Sequence, residues 1–395
     1  MFTRITLRFA VAFLLAAISF TATAPKLEAQ DQSPRQDRFV AHEWGTFTSV
    51  STADGKAQLW NPLSGPSELP SFVYRSSVAS QCFKGYKANL ALVRMETPVI
   101  YFYSDRELRA SVKVDFPRGC ISEWYPLARA DRQNIDWSGF VVQPGAKENF
   151  PVDQSQSHYY PARETDAAPI RLGDEQKGQQ EKFLFYRGVG FFDLPLSVKL
   201  KGDQVIVRNA GQDEIAQVIL FENREGRSGW RIQSALKGEA VIERPTLDQS
   251  VESLYCEIEK ALVAQGLYEK EAAAMVKTWR ESWFEEGLRV FYIVPRRATD
   301  AILPITIKPA PAELARVFVG RAEIITPEME RDILAAAKQF NGDSDEARAA
   351  AVNVIRRYGR FADPVLRQAG VSDEVLRSRI STLITAATAR PASHR

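Results

Sequence analysis

Residues 271–295 read EAAAMVKTWRESWFEEGLRVFYIVP, and within them the hydrophobic period changes from that of a helix to that of a strand. Ala272, Met275, Val276, Trp279 and Trp283 recur at spacings of three and four, which puts them on one helical face. Gly287 is expected to supply the left-handed cap. Leu288–Val294, rich in β-branched and aromatic residues, follows as a strand. Glu285 and Glu286 then fall in the last helical turn, where the dipole disfavours a carboxylate by about 0.3–1 kcal/mol. They invite an arginine, a metal or a ligand cation; the plainer reading is a solvated helix end.

Upstream of this stretch, Val251, Leu254, Tyr255, Ile258, Ala261 and Leu262 mark a first helix that ends near Gly266, and a second begins at Tyr268. A short link between them predicts an antiparallel helical hairpin, residues 248–287. Residues 30–247 read as a β-rich body. Val99, Tyr101 and Tyr103 oppose Ile100 and Phe102 in a central strand, and Val112, Val114 and Phe116 alternate with Lys113 and Asp115. Leu196–Leu200, Gly202-Asp203 and Val205–Val207 spell a hairpin, and Ala216–Phe221 with Gly229–Gln233 continue the series. Strands return in residues 288–326. Thr326-Pro327 opens a C-terminal helical bundle, 327–389, with helices at about 328–340, 345–358 and 373–387 and a loose tail at 390–395. The fold class is therefore α+β: an antiparallel β-sandwich-like body, a helical hairpin and a C-terminal helical bundle.

Arg4 and Arg8 precede an apolar run, Phe9–Phe20, too short to span a bilayer and suited to a signal peptide cut after Ala29. A mature chain of about 366 residues would be extracytoplasmic, periplasmic or secreted, with no transmembrane segment. Losing residues 1–29 takes three of the 51 basic and one of the 49 acidic side chains, leaving 48 of each. So even a balance gives no electrostatic case for nucleic acid. Cys82, Cys120 and Cys256 allow three single pairings in an oxidising compartment. Cys82 with Cys120 is preferred because both fall in the β body, which leaves Cys256 as a buried, inert thiol.

The chemistry available is sparse. With His394 in the tail, His42 and His158 are the remaining histidines, and the two together could join one carboxylate among Glu43, Glu96 or Glu286 around a divalent metal such as zinc or iron. A metal-dependent hydrolase built on His42, Glu43 and Glu286, with His42 and His158 as ligands, is one reading. Gly45 inside His42–Val50 marks a bulge or a close backbone approach. The aromatic and polar segments around Trp44, Arg94, Glu96, Tyr159, Tyr160, Arg163, Arg187, Trp283 and Glu285 give another: a contact surface for a small molecule, a glycan or an envelope protein. Ordinary core for the aromatics and internal ion pairs for Arg94, Glu96 and Arg187 are the plain alternatives.

Trp283-Phe284-Glu285-Glu286-Gly287 resembles the segment that supplies the third zinc ligand of gluzincin metallopeptidases. The accompanying His-Glu-x-x-His is missing, because Trp44-Gly45-Thr46 follows His42-Glu43. As a whole the chain resembles a family of uncharacterised exported bacterial proteins, on the segments His42–Thr48, Arg94–Tyr103 and Trp283–Gly287. That resemblance implies export and one continuous architecture, and no activity. The reading that follows is an exported ligand-binding or envelope-associated interaction protein, with the hydrolase as its competitor.

Overall fold

Almost every side chain of the first strand, β1 (Phe39–Thr52), is buried. A strand covered on both faces usually reads as an apolar run. Instead β1 buries His42, Glu43, Thr46 and Thr48, so it must find polar partners on both sides. The computed structural model of the protein describes residues 38–60, 69–76, 92–155, 157–174, 178–340, 344–358 and 361–368. All fall in one compact unit. The expected leader at 1–29, the helix at 373–387 and the tail at 390–395 lie outside the described residues.

After β1 come β2 (Tyr74–Arg75), β3 (Val93–Ser104), β4 (Leu108–Asp115), β5 (Gly119–Tyr125), β6 (Arg129–Ala130) and β7 (Asn134–Val142). The chain continues through β8 (Ile170–Leu172), β9 (Gln179–Glu181), β10 (Leu184–Gly190), β11 (Leu196–Lys201) and β12 (Gln204–Asn209). β13 (Ile215–Arg224), β14 (Arg227–Leu236) and β15 (Glu239–Glu243) lead into the hairpin α1 (Val251–Ala264) and α2 (Glu269–Trp283). Strand β16 (Gly287–Val294), the short helix α3 (Arg296–Ile302), β17 (Ile305–Lys308) and β18 (Glu313–Ile325) follow. Helices α4 (Pro327–Phe340), α5 (Asp345–Tyr358) and α6 (Ala362–Gln368) close the described chain.

The protein is α+β with a sheet-rich body. Nine strands form the main sheet in the order β14-β13-β16-β18-β1-β3-β10-β5-β2. β18 pairs parallel to β1, from Val40↔Glu313 to Thr52↔Ile325, and so seats a late segment beside the first strand. A six-stranded sheet containing β4 and β7, and the three-stranded β11-β12-β15, provide the rest. Ala41, Phe47, Ile100 and Phe102 share a core cluster with Val112, Val114, Trp137, Val198 and Val205 of those smaller sheets, which makes a sandwich. On the opposite face Trp44, Val99 and Tyr101 pack with Leu254, Ile258, Met275, Trp279 and Trp283 of the hairpin. A third cluster joins Val50 and Ile325 to α4, α5 and α6.

Two features of β3 fix these faces. Between Trp44↔Val99 and Thr46↔Glu96 the strand holds one residue more than β1, and Thr97 at φ 47° takes up the excess beside Pro98. Side chains before and after this bulge therefore exchange faces. The bulge lies opposite Gly45, where a Cβ would stand 2.7 Å from Phe318 and 3.1 Å from Pro98. Helix α2 ends at Trp283, earlier than the sequence suggested, and Gly287 at φ 136° opens β16 rather than capping the helix. Glu285 and Glu286 thus sit in the connection, outside the helical turn expected for them.

Candidate functional site

Helix α2 is framed by polar contacts at both ends. At its N-terminus Tyr268 and Glu271 form a capping box: the Tyr268 backbone N–H donates to Glu271 Oε2 at 2.7 Å. Glu271 is wholly buried and accepts twice more, from Tyr103 Oη at 2.9 Å and from His42 Nδ1 at 2.8 Å. A carboxylate only accepts, so Nδ1 carries a proton, and in the neutral imidazole Nε2 then presents a lone pair. Nε2 has no hydrogen-bond partner among the described residues and faces Glu313 Oε1 across 3.8 Å. The Tyr268 ring lies 4.5 Å from the His42 ring and 4.8 Å from the Tyr103 ring, the latter edge-on at 76°. Burial, and then the Glu271 charge, push the Tyr103 hydroxyl far above its ordinary pKa, so it remains a donor.

A cleft of about 580 Å³ opens in front of this corner. Tyr103, Tyr268 and Arg38 form one side, and the loops at Pro144–Ala146 and Thr165–Pro169 form the others. Lys182 and Asp166 in its wall are engaged with Glu148 and Lys270.

At the other end of α2, Arg289 reaches back from β16 and donates Nη1 to the carbonyls of Trp283 at 2.6 Å and Glu285 at 2.7 Å, and Nη2 to that of Glu286 at 2.9 Å. Its Nε meets Glu323 Oε2 at 3.0 Å, and Arg321 bonds the same carboxylate. Arg321 also donates to Glu285 at 2.9 Å, and Arg357 to Glu286 at 2.6 Å. The arginine partners that two carboxylates against a dipole invited are therefore present. Burial lowers the Arg289 pKa, against the raising effect of Glu323.

Strand alternation separates the hydrolase residues. His42 faces the hairpin, whereas Glu43 points into the sandwich, where Arg316 and Tyr186 hold its carboxylate and Arg316 also pairs with Asp300 at 2.6 Å. Glu286 sits beyond the far end of α2 from His42. His158 lies 3.9 Å from Glu281, ten positions along α2 from Glu271, about 15 Å of helix rise. Two imidazoles that far apart do not share a metal ion. Among the described residues no group of three or more His, Cys, Asp or Glu gathers as a metal site.

The expected aromatic contact surface is also corrected. Trp44, Tyr159 and Trp283 are fully buried in the core, because large aromatics between a sheet and a helical layer gain most by leaving water. Arg163 donates to Glu181 and lies over the rings of Phe150, Tyr159 and Tyr160, so it braces a loop from within. Burial raises the Glu181 pKa despite Arg163. Tyr160 is half-buried and bonds Asp153. Arg94 pairs with Glu96 at 3.4 Å, Thr48 donates to Glu96 at 2.7 Å, and Arg187 donates to Thr97 at 3.3 Å. Cys120 is disulfide-bonded and Cys256 is free, as expected, but Cys256 is exposed on α1 rather than buried. Cys82 lies outside the described residues.

Glu271, Tyr103, Tyr268 and Glu313 were missed as site residues. Tyr268-x-x-Glu271 has the spacing of a capping box, and that signal points to the helix start though not to His42. Among the described residues no helix is long and apolar enough to cross a membrane.

No protein-family model and no curated protein matches the chain. Among solved structures, the yeast delta-COP-I mu-homology domain complexed with Dsl1 WxWxV peptide is similar at 8% identity, covering 74% of this chain and 99% of that chain, with a TM-score of 0.30. The yeast delta-COP-I mu-homology domain without the peptide gives 9% identity, 74% and 98% coverage and a TM-score of 0.29. At these scores the likeness carries neither fold nor function.

Proposed function

We propose that this is an exported ligand-binding protein whose ligand is a small polar molecule, of the size of a saccharide or an amino acid, seated in the cleft before Tyr103 and Tyr268. The cleft itself carries the reading. Its volume of about 580 Å³ lies within the roughly 300–1,000 Å³ of small-molecule sites, and its walls combine tyrosine faces with charged groups. The buried network of Glu271, His42 and Tyr103 behind it holds the tyrosine corner in one geometry, which lowers the ordering cost of binding. Export draws support from Arg4, Arg8 and the apolar run that follows, and from the disulfide at Cys120, a bond that persists in oxidising compartments.

Calorimetry against mono- and disaccharides, amino acids and dipeptides tests the binding. At least one class should bind with Kd below about 1 mM. Ala146→Trp, which fills the cleft from a surface loop, should abolish it. Binding that survives Ala146→Trp, or none by any compound, overturns the reading. Export is checked separately by N-terminal sequencing of the chain recovered from osmotic-shock fluid, expected to start at Gln30; an uncut chain kept in the cytoplasm sinks that part.

A further inference from the structure

Charge around the tyrosine corner is not balanced. Lys182 with Glu148, and Asp166 with Lys270, cancel within the cleft walls. What remains is Asp105 in the cleft wall, with Glu313 behind Arg38 and the buried Glu271 behind Tyr103, against the single charge of Arg38. Asp105 is exposed and makes no ion pair among the described residues. Arg38 reaches Glu313 only loosely, at 3.7 Å between two half-exposed side chains, a contact that solvent screens. The positive end of α2 lies here too, and Glu269 and Glu271 in its first turn offset it.

A second, independent observation is the unpartnered Nε2 of fully buried His42. Its lone pair and Glu313 Oε1 are two acceptors 3.8 Å apart, too far to bond one another and close enough for a group with several N–H donors to serve both. The Tyr103 and Tyr268 rings meet nearly at right angles beside them, and tyrosine faces attract cations. Tyr268 is 37% exposed, so its ring is reachable from the cleft.

We infer that the cleft selects ligands bearing a primary ammonium group, which lies against Tyr268, displaces Arg38 from the cleft wall and so reaches Glu313 and His42 Nε2, the acceptors that stand behind it. The inference rests on the binding reading above and narrows it to a chemical class. A metal ion at the same acceptors is the competing outcome, and the test includes it.

Matched pairs that differ in the ammonium group provide the test: D-glucosamine against D-glucose, and 1,5-diaminopentane against 1,5-pentanediol, titrated calorimetrically into the intact mature protein. The amine of a pair should bind about tenfold tighter. Glu313→Gln and Tyr268→Leu, both at exposed side chains, should remove that preference while circular dichroism shows the fold retained. Equal binding of amine and hydroxyl partners overturns the ammonium class and leaves the cleft a binding site. Absence of binding by every compound, here and in the wider panel, overturns both. One equivalent of Zn²⁺ bound by the wild type and lost in Glu313→Gln overturns the ammonium reading in favour of a metal site.

Discussion

Arg289 joins the helix end to the sheet. Its guanidinium collects the carbonyls of Trp283, Glu285 and Glu286 and is neutralised by Glu323, with Arg289 and Glu323 both fully buried. The Trp283 carbonyl is one of those left over where a helix stops, the other two belong to the turn that follows, and a buried stop needs donors for them. Arg289→Met should therefore cost about 3–5 kcal/mol, since it strips the cap and leaves the Glu323–Arg321 pair out of balance. Urea denaturation measures this, and a loss under 1 kcal/mol would mean that the network is not needed to close the helix end. Little of it was legible beforehand. Glu285 and Glu286 stood out as misplaced charges, but the partner that answers the dipole works through their backbone, and nothing in the spacing of Arg289 announces that.

At the scale of elements, the bulge in β3 does the sorting. Before it Val93 and Met95 face the sandwich, and after it Ile100 and Phe102 do, with Val99 and Tyr101 turned to the hairpin. Removing Thr97 would bring β3 into uninterrupted register with β1, and one segment would then present its apolar set to the wrong face. Deletion of Thr97 is expected to abolish folding, while Thr97→Gly, which accepts φ 47° freely but gives up the bond from Arg187, should still fold at a cost of about 1–3 kcal/mol. Circular dichroism and thermal melting distinguish the two variants; a cooperative melt of the deletion near the wild-type temperature would show that the extra residue does not set the faces. Alternation in Pro98–Tyr103 was plain in the sequence. Gly45 was expected at a bulge or a close backbone approach; the extra residue belongs to the neighbouring strand, and the close approach is there, with the Pro98 backbone 3.1 Å from where a Cβ would stand.

For the whole molecule, three buried clusters hold the layers, and a disulfide adds a covalent link. The disulfide engages Cys120, buried in β5, whereas the thiol of Cys256 is exposed on α1. Reduction should lower stability by about 2–4 kcal/mol. Cys256→Ser should leave it unchanged, because an exposed thiol buries no surface. Urea midpoints with and without reductant measure both, and superimposable curves in reductant would show that the bridge contributes nothing. Docking of β18 beside β1 makes the order of the main sheet differ from the order of the chain. Such pairing waits for most of the chain to be available, since a contact between the first and last strands closes a long loop.

The sequence by itself determined the local structure: the amphipathic face of α2, the switch to a strand at β16, the hairpin β11-β12, the strands β13 and β14 and the capped start of α4. Each is written in a period of two or 3.6 residues, or in a cap a few residues long, and can be read without knowing what lies across from it. Only the tertiary structure decided the site. His42 meets Glu271 over a separation of 229 residues, Glu43 meets Arg316 over 273, and the parallel β1–β18 contact sets His42 near Glu313. No spacing reports such partners, because they depend on which faces the layers bury against one another. That is also why His42 and Glu43, neighbours in the chain, end on opposite sides of the sheet and cannot share one catalytic task.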